Sequence, residues 1–274
     1  MENQEKSIKD VKGRSRGFSA GIVLAVCFVI SIILFFFVFG NPSNFMDNDP
    51  SNHPLEGNFL GLVYKGGPVV CLIIGLLLTT IALSVERFIA INKAKGKGNL
   101  IDFVARLKSL LEKNDFKKAD ALCAEQKGSV AAVVSAGLLK YEEMVNTKED
   151  LEKEQKIAAI QKTIEEATAL ELPTMEQNLP VIAAFSTLGT LFGLLGTVIG
   201  MIRSFSALAT QGAPDSVALA TGISEALINT ALGITTGALA IISYSFFTGK
   251  IDNITYAIDE MSFSLVQTFA EKNK

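Results

Sequence analysis

The sequence predicts an all-α, polytopic membrane protein, with long helices that extend into a helical region outside the bilayer. Three observations lead there. Mean hydropathy is +0.36 and 49 % of the residues are hydrophobic. Charged residues make up 19 %, below the roughly 25 % typical of soluble domains. The charges are also crowded: 31 of them fall between Glu86 and Glu176, leaving four long stretches almost bare. A net charge of −3 argues against nucleic-acid binding. Three scattered cysteines and one histidine exclude a disulfide scaffold and a His/Cys zinc site. No metal or cofactor is expected.

The elements follow in chain order. An apolar run of about 18 or more residues can cross a bilayer as a helix, because a helix satisfies its own backbone hydrogen bonds. Residues 1–17 form a basic tail with Lys6, Lys9, Lys12, Arg14 and Arg16. Residues 18–40 are read as a first transmembrane helix. A basic stretch before an apolar run also describes a signal peptide, with Val38-Phe39-Gly40 as a conceivable cleavage site. The apolar core is longer than the 7–15 residues of a signal h-region, which favours a retained anchor. Residues 41–65 form an outer loop carrying Asp47, Asp49 and Glu56 against Lys65.

Residues 66–90 are the second span, followed directly by Lys93, Lys95 and Lys97. Residues 91–178 are a cytoplasmic helical region. There Phe103, Leu107, Leu110 and Leu111 make an amphipathic stripe. Ile157, Ile160, Ile164 and Ala167 repeat in heptad-like steps. The segment from Thr147 to Gln177 is expected to prolong the third span as a long helix, with Pro173 and Pro180 marking a bend. Residues 179–209 and 217–249 are the third and fourth spans, joined by a short periplasmic loop at 210–216, and 250–274 is a cytoplasmic tail. Positive loop charges mark the cytoplasmic side, which places both termini and the 91–178 region there.

Candidate chemistry sits in the last two spans. At ~100° per residue, Ser186, Thr190, Gly193, Thr197, Gly200 and Ser204 share one sector of the third span. Leucines, isoleucines and a valine face the other way. This small, hydroxylated face serves either tight helix packing, through Gly189/Gly193 and Gly196/Gly200, or the lining of an ion route. In the fourth span Glu225 lies ~13 Å along the helix from its expected start at Asp215-Ser216. An acidic residue at mid-helix costs about 2.5–3.5 kcal/mol to insert, so it is expected to face protein or water and to have a role. Asn229, Gly233, Thr236 and Ser243 continue its face, whereas Thr230 points about 140° away. His53 reads as a loop surface residue, Arg203 as a snorkelling side chain, and the cysteines as small hydrophobes.

The run Gly193-Leu194-Leu195-Gly196-Thr197-Val198-Ile199-Gly200-Met201, followed by Ile223-Ser224-Glu225-Ala226-Leu227-Ile228-Asn229-Thr230-Ala231-Leu232-Gly233, resembles the motifs of the MotA/TolQ/ExbB proton-channel family, with its ExbB branch the nearest. The resemblance implies a pentameric homo-oligomer around two transmembrane helices of an ExbD-type partner, which supplies an essential aspartate. It also implies a TonB-type protein as the recipient of the work, and the inner membrane of a Gram-negative bacterium as the location. Thr197, Glu225 and Thr230 match the family's polar pore positions, with Ser186, Thr190, Asn229 and Thr236 as further lining or packing residues. Two departures stand out. Gly189-Thr190 replaces the family's usual Ala-Pro, and Gly237-Ala238-Leu239 replaces Ala-Ile-Pro. The span before residue 40, with its loop, is an addition to the usual three-span layout.

The expected function is therefore that of a motor subunit and not an enzyme. TolQ-like envelope maintenance and a MotA-like stator are alternatives within the family. A passive scaffold whose small-residue faces only pack helices is the rival from another class. A self-contained secondary transporter is disfavoured by the single deep acidic residue and the lack of an inverted repeat.

Overall fold

A computed structural model describes residues 19–113, 115–147, 151–210 and 216–272. The basic tail, the expected helix start at Asp215 and the link before it lie outside these residues. All regular structure among the described residues is helical, apart from one isolated bridge between Phe45 and Pro54. Among the described residues four helices are long and apolar enough to cross a membrane, as the hydropathy predicts. The chain divides into two compact units, Phe18–Glu86 with Asn178–Ser245, and Arg87–Gln177 with Phe246–Lys274.

The first of these units holds the apolar spans. Helix α1 (Ala20–Ile33) continues as a π-helical turn over Leu34–Phe39, closed by the Gly40 N–H on Phe35 O at 2.9 Å. Cys27, Ser31 and Phe35 are its buried stripe at i, i+4 and i+8, while Phe37 is 75 % exposed. Ser31 Oγ donates to Cys71 O at 2.6 Å, and the Phe28 ring packs over Gly75. One face of α1 is thereby bound to α3 (Pro68–Lys95).

The connecting loop is built. Asn44 donates to Val38 O and Phe39 O at 2.9 and 3.0 Å, covering carbonyls that a helix end leaves open. Phe45 is buried against Tyr64, with ring centroids 5.6 Å apart. The short α2 (Phe59–Lys65) is capped by Asn58, which accepts from Gly61 N at 3.1 Å. Gly67, at φ +79°, turns the chain into α3, whose first residue is Pro68, the position where a missing N–H does no harm.

The second unit contains α4 (Leu100–Glu112), α5 (Phe116–Gln126), α6 (Gly128–Asn146) and α7 (Lys153–Glu176). The predicted stripe buries Phe103, Leu107 and Leu111 in this core, and Ile160 and Ile164 of the predicted heptad are buried too. Ile164 and Leu265 close on Gly137, at a spot with no room for a side chain. Arg87 is 1 % exposed, and its Nη1 donates to Thr174 O and Met175 O at 3.2 and 3.3 Å. It thus satisfies carbonyls in the last turn of α7, where a cation also complements the helix dipole.

Two expectations change here. The Thr147–Gln177 segment does not prolong the third span as one helix: α7 ends at Glu176 and α8 (Leu179–Thr210) begins after a turn. Asn178 takes φ +66°, a conformation Asn tolerates, and Pro180 then sits where a helix begins comfortably. The expected bend is thus a break between helices, while Pro173 stays inside α7. The residues after 249, read as a tail, are helical through Lys272 and belong to the 57-residue α9 (Ser216–Lys272). Their row Ile251, Ile254, Ile258, Met261, Leu265 and Phe269 is buried at steps of three and four, the spacing that keeps one helix face inward. Tyr141 meets Phe269 edge-on at 4.9 Å.

Candidate ion-pathway site

Helices α8 and α9 run antiparallel in close contact, because small residues face each other along the crossing. Gly189 meets Gly233 and Gly237, Gly193 meets Asn229 and Gly233, and Gly200 meets Ala226. A Cβ built on Gly233 would stand 2.6 Å from both Gly189 O and Gly193 Cα, so the backbones touch. Both helices pass unbroken through Thr190 and Leu239.

This crossing brings Thr197 and Thr230 together. Their hydroxyls are hydrogen-bonded to each other. Thr197 Oγ1 also reaches Gly193 O at 3.1 Å and Ala226 O at 3.2 Å, and Thr230 Oγ1 reaches Gly193 O at 3.4 Å. A hydroxyl carries one proton and two lone pairs. If Thr230 donates to Thr197, Thr197 donates to a carbonyl; if Thr197 donates to Thr230, Thr230 donates to Gly193 O. The pair can therefore reverse its hydrogen-bond direction without moving a heavy atom.

Glu225, next to the Ala226 carbonyl that Thr197 binds, lines a cavity of about 230 Å³ with His53, Lys65, Arg203, Gly196 and Asn229. Among the described residues no hydrogen bond joins the Glu225 side chain to either threonine. Asn229 is 2 % exposed; its Nδ2 donates to Gly66 O at 3.0 Å and Glu225 O at 3.3 Å. Its Oδ1 is buried without a partner, while the bond from Nδ2 to Gly66 O ties α9 to the turn between α2 and α3.

The remaining predicted residues serve their own helices. Ser186 Oγ donates to Ala183 O at 2.7 Å, Thr190 Oγ1 to Ser186 O at 3.2 Å and Thr236 Oγ1 to Leu232 O at 2.8 Å. Thr236 is fully buried, whereas Thr190 is exposed. His53 is exposed, as expected, yet it reaches the cavity, which Arg203 also lines. Lys65 carried no sequence signal, because it is distant in the chain and reads as an ordinary loop lysine.

Residues 125–260 match the model of the MotA/TolQ/ExbB proton channel family. Over those residues the chain is similar to that family. It is 34 % identical over 106 residues to the Tol-Pal system protein TolQ of Pseudomonas aeruginosa, covering 39 % of this chain and 42 % of TolQ. It is 33 % identical over 94 residues to a biopolymer transport protein ExbB homolog of Methanothermobacter thermautotrophicus, covering 34 % of this chain and 33 % of that protein. The chain thus spans less than half the length of these two relatives. The match to the biopolymer transport protein ExbB of Salmonella typhimurium is longer and more distant: 26 % over 202 residues, 71 % of this chain and 78 % of ExbB. The crossing of α8 and α9, with Thr197, Glu225 and Thr230, lies inside the family segment; α1, the loop and α2 lie outside it. The apolar helices are those of a multi-pass membrane protein, and the matched family is one of proton channels.

Proposed function

We propose that the chain is the ring-forming subunit of a proton-driven motor in the inner membrane of a Gram-negative bacterium. Five copies surround the two spans of an ExbD-type partner, and the assembly works on a TonB-type protein that serves outer-membrane import. The supporting observation is an intramembrane carboxylate, Glu225, facing a polar cavity one residue from the carbonyl that binds the Thr197–Thr230 hydroxyl pair. In this reading Glu225 and the two threonines hydrate and relay protons near the partner's carboxylate. Each charge crossing 100 mV makes about 2.3 kcal/mol available for rotation of the partner. Both termini and the region from 91 to 178 face the cytoplasm, on the side of Lys93, Lys95 and Lys97.

A second reading, a TolQ-like motor for envelope maintenance, is favoured by the identity to the Pseudomonas aeruginosa protein. The two readings differ in partner, not in site.

The test is pH-driven proton uptake into liposomes holding the chain with and without an ExbD-type protein. Uptake is expected to require the partner and to fall at least about tenfold in Glu225→Ala and Thr197→Val, a range that general proton-transfer catalysis readily spans. Wild-type uptake in both variants would remove these residues from the pathway. A stable oligomer without uptake would favour the passive scaffold.

A further inference from the structure

The loop between the first two spans fixes the side chain of its last residue. Lys65 Nζ donates to Ser51 O at 2.9 Å and stands 5.7 Å from the centroid of the Phe45 ring. That ring is itself buried under the loop and packed on Tyr64. A free lysine side chain samples many rotamers; here the backbone carbonyl and the aromatic face restrain it. Lys65 lines the same cavity as Glu225. The amide of Asn229 cannot serve Glu225 as a donor, because its Nδ2 is committed to two backbone carbonyls. Lys65, Arg203 and His53 are the basic residues lining the cavity among the described residues. Arg203 comes from the segment that matches the family; Lys65 and His53 come from the loop outside it.

We propose that Lys65 is a positioning residue whose ammonium the loop holds as the counter-charge of Glu225. A charge of opposite sign favours the ionised carboxylate, and it acts more strongly in partly desolvated surroundings than in water. The segment that precedes the second span thus has a task at the site: it sets the charge of an acid on another helix. The Phe45 ring is the platform of this device, and Ser51 O is its tether.

The experiment labels the full chain in phospholipid vesicles at neutral pH with a hydrophobic carbodiimide, which attacks neutral carboxyl groups. Glu225 is followed by peptide mass, with Glu225→Gln to assign the site. Lys65→Gln is expected to label at Glu225 at least about threefold faster than the wild type. Lys65→Arg, which keeps the charge, stays within about twofold of the wild type, and Phe45→Ala accelerates labelling because the lysine loses its platform. A wild-type rate in Lys65→Gln overturns the proposal. So does equal acceleration in Lys65→Gln and Lys65→Arg, the pattern of a merely loosened loop, and a wild-type rate in Phe45→Ala overturns the part given to the loop. The proposal concerns the acid on which the motor reading relies, yet labelling reads its charge whether or not protons flow. Altered labelling with unaltered uptake would count against the motor reading alone.

Discussion

Thr197 and Thr230 are one unit at the scale of single residues, since each hydroxyl holds the other and both rest on the Gly193 carbonyl. Replacing either with valine keeps the shape and leaves its partner with a backbone carbonyl alone. The two changes are therefore not additive. Each single variant is expected to lower stability by about 0.5–1.5 kcal/mol, and the double variant by clearly less than the sum, a coupling that unfolding in detergent measures. Cys123 makes a different case. It is buried in the helical unit, and burial, aided by the charge of Asp120, pushes its thiol up to about 12. A thiolate is the reactive form, so Cys123 should resist iodoacetamide at pH 8 and react once the chain is unfolded. The sign of the linked stability follows: above the ordinary thiol value the unfolded chain loses a proton that the folded chain keeps. Stability therefore falls as pH rises from about 9 towards 12. Rapid labelling of the folded chain at pH 8 would contradict this.

For the elements, the α8–α9 crossing is the joint that positions the site. Gly233→Ala puts a methyl group onto Gly189 O and Gly193 Cα and is expected to destabilise the helix pair by about 1–3 kcal/mol. Gly249→Ala, with nothing within 4 Å of the added carbon, should be neutral or stabilise α9 by up to about 1 kcal/mol. Thermal unfolding of the two variants separates packing from helix propensity; equal effects would sink the close-contact account. Much of this joint was legible, because glycine and hydroxyl residues at helical spacing leave few other uses for a face. The amphipathic stripe through Phe103, Leu107 and Leu111 was legible for the same reason. The Gln177–Asn178 break was not: a single left-handed residue leaves no periodicity to detect, and Pro173 inside α7 invited the wrong position for a bend. Lys65, Arg87 and the double duty of Asn229 were hidden as well. Arg87 and Asn229 have hydrogen-bond partners 87 and 163 residues away along the chain, and the cavity that Lys65 lines is completed by residues of α8 and α9; pairing at such distance has no local signal.

Across the whole molecule, the decisive feature is the apolar surface that one chain leaves open. On α8, Leu191, Leu194, Val198 and Ile202 are exposed, and on α9 so are Leu227, Ile234, Ile241 and Ile242. The outward face of α1 adds Ile22, Val26, Val29 and Phe37. Contiguous exposed patches on this scale mark contact with lipid or with another protein. Helix association inside lipid draws on packing and not on the hydrophobic effect, so rows turned to lipid and rows turned to a second copy look alike in one chain. The mass of the particle distinguishes them. Native mass spectrometry in mild detergent is expected to give five times the 29.4 kDa of one chain, with or without added partner. Adding the partner should raise that mass by two of its chains, since two spans fill the proposed ring. A particle of one chain would assign every open row to lipid and leave no ring for Glu225 and the threonine pair to line, whatever their local geometry.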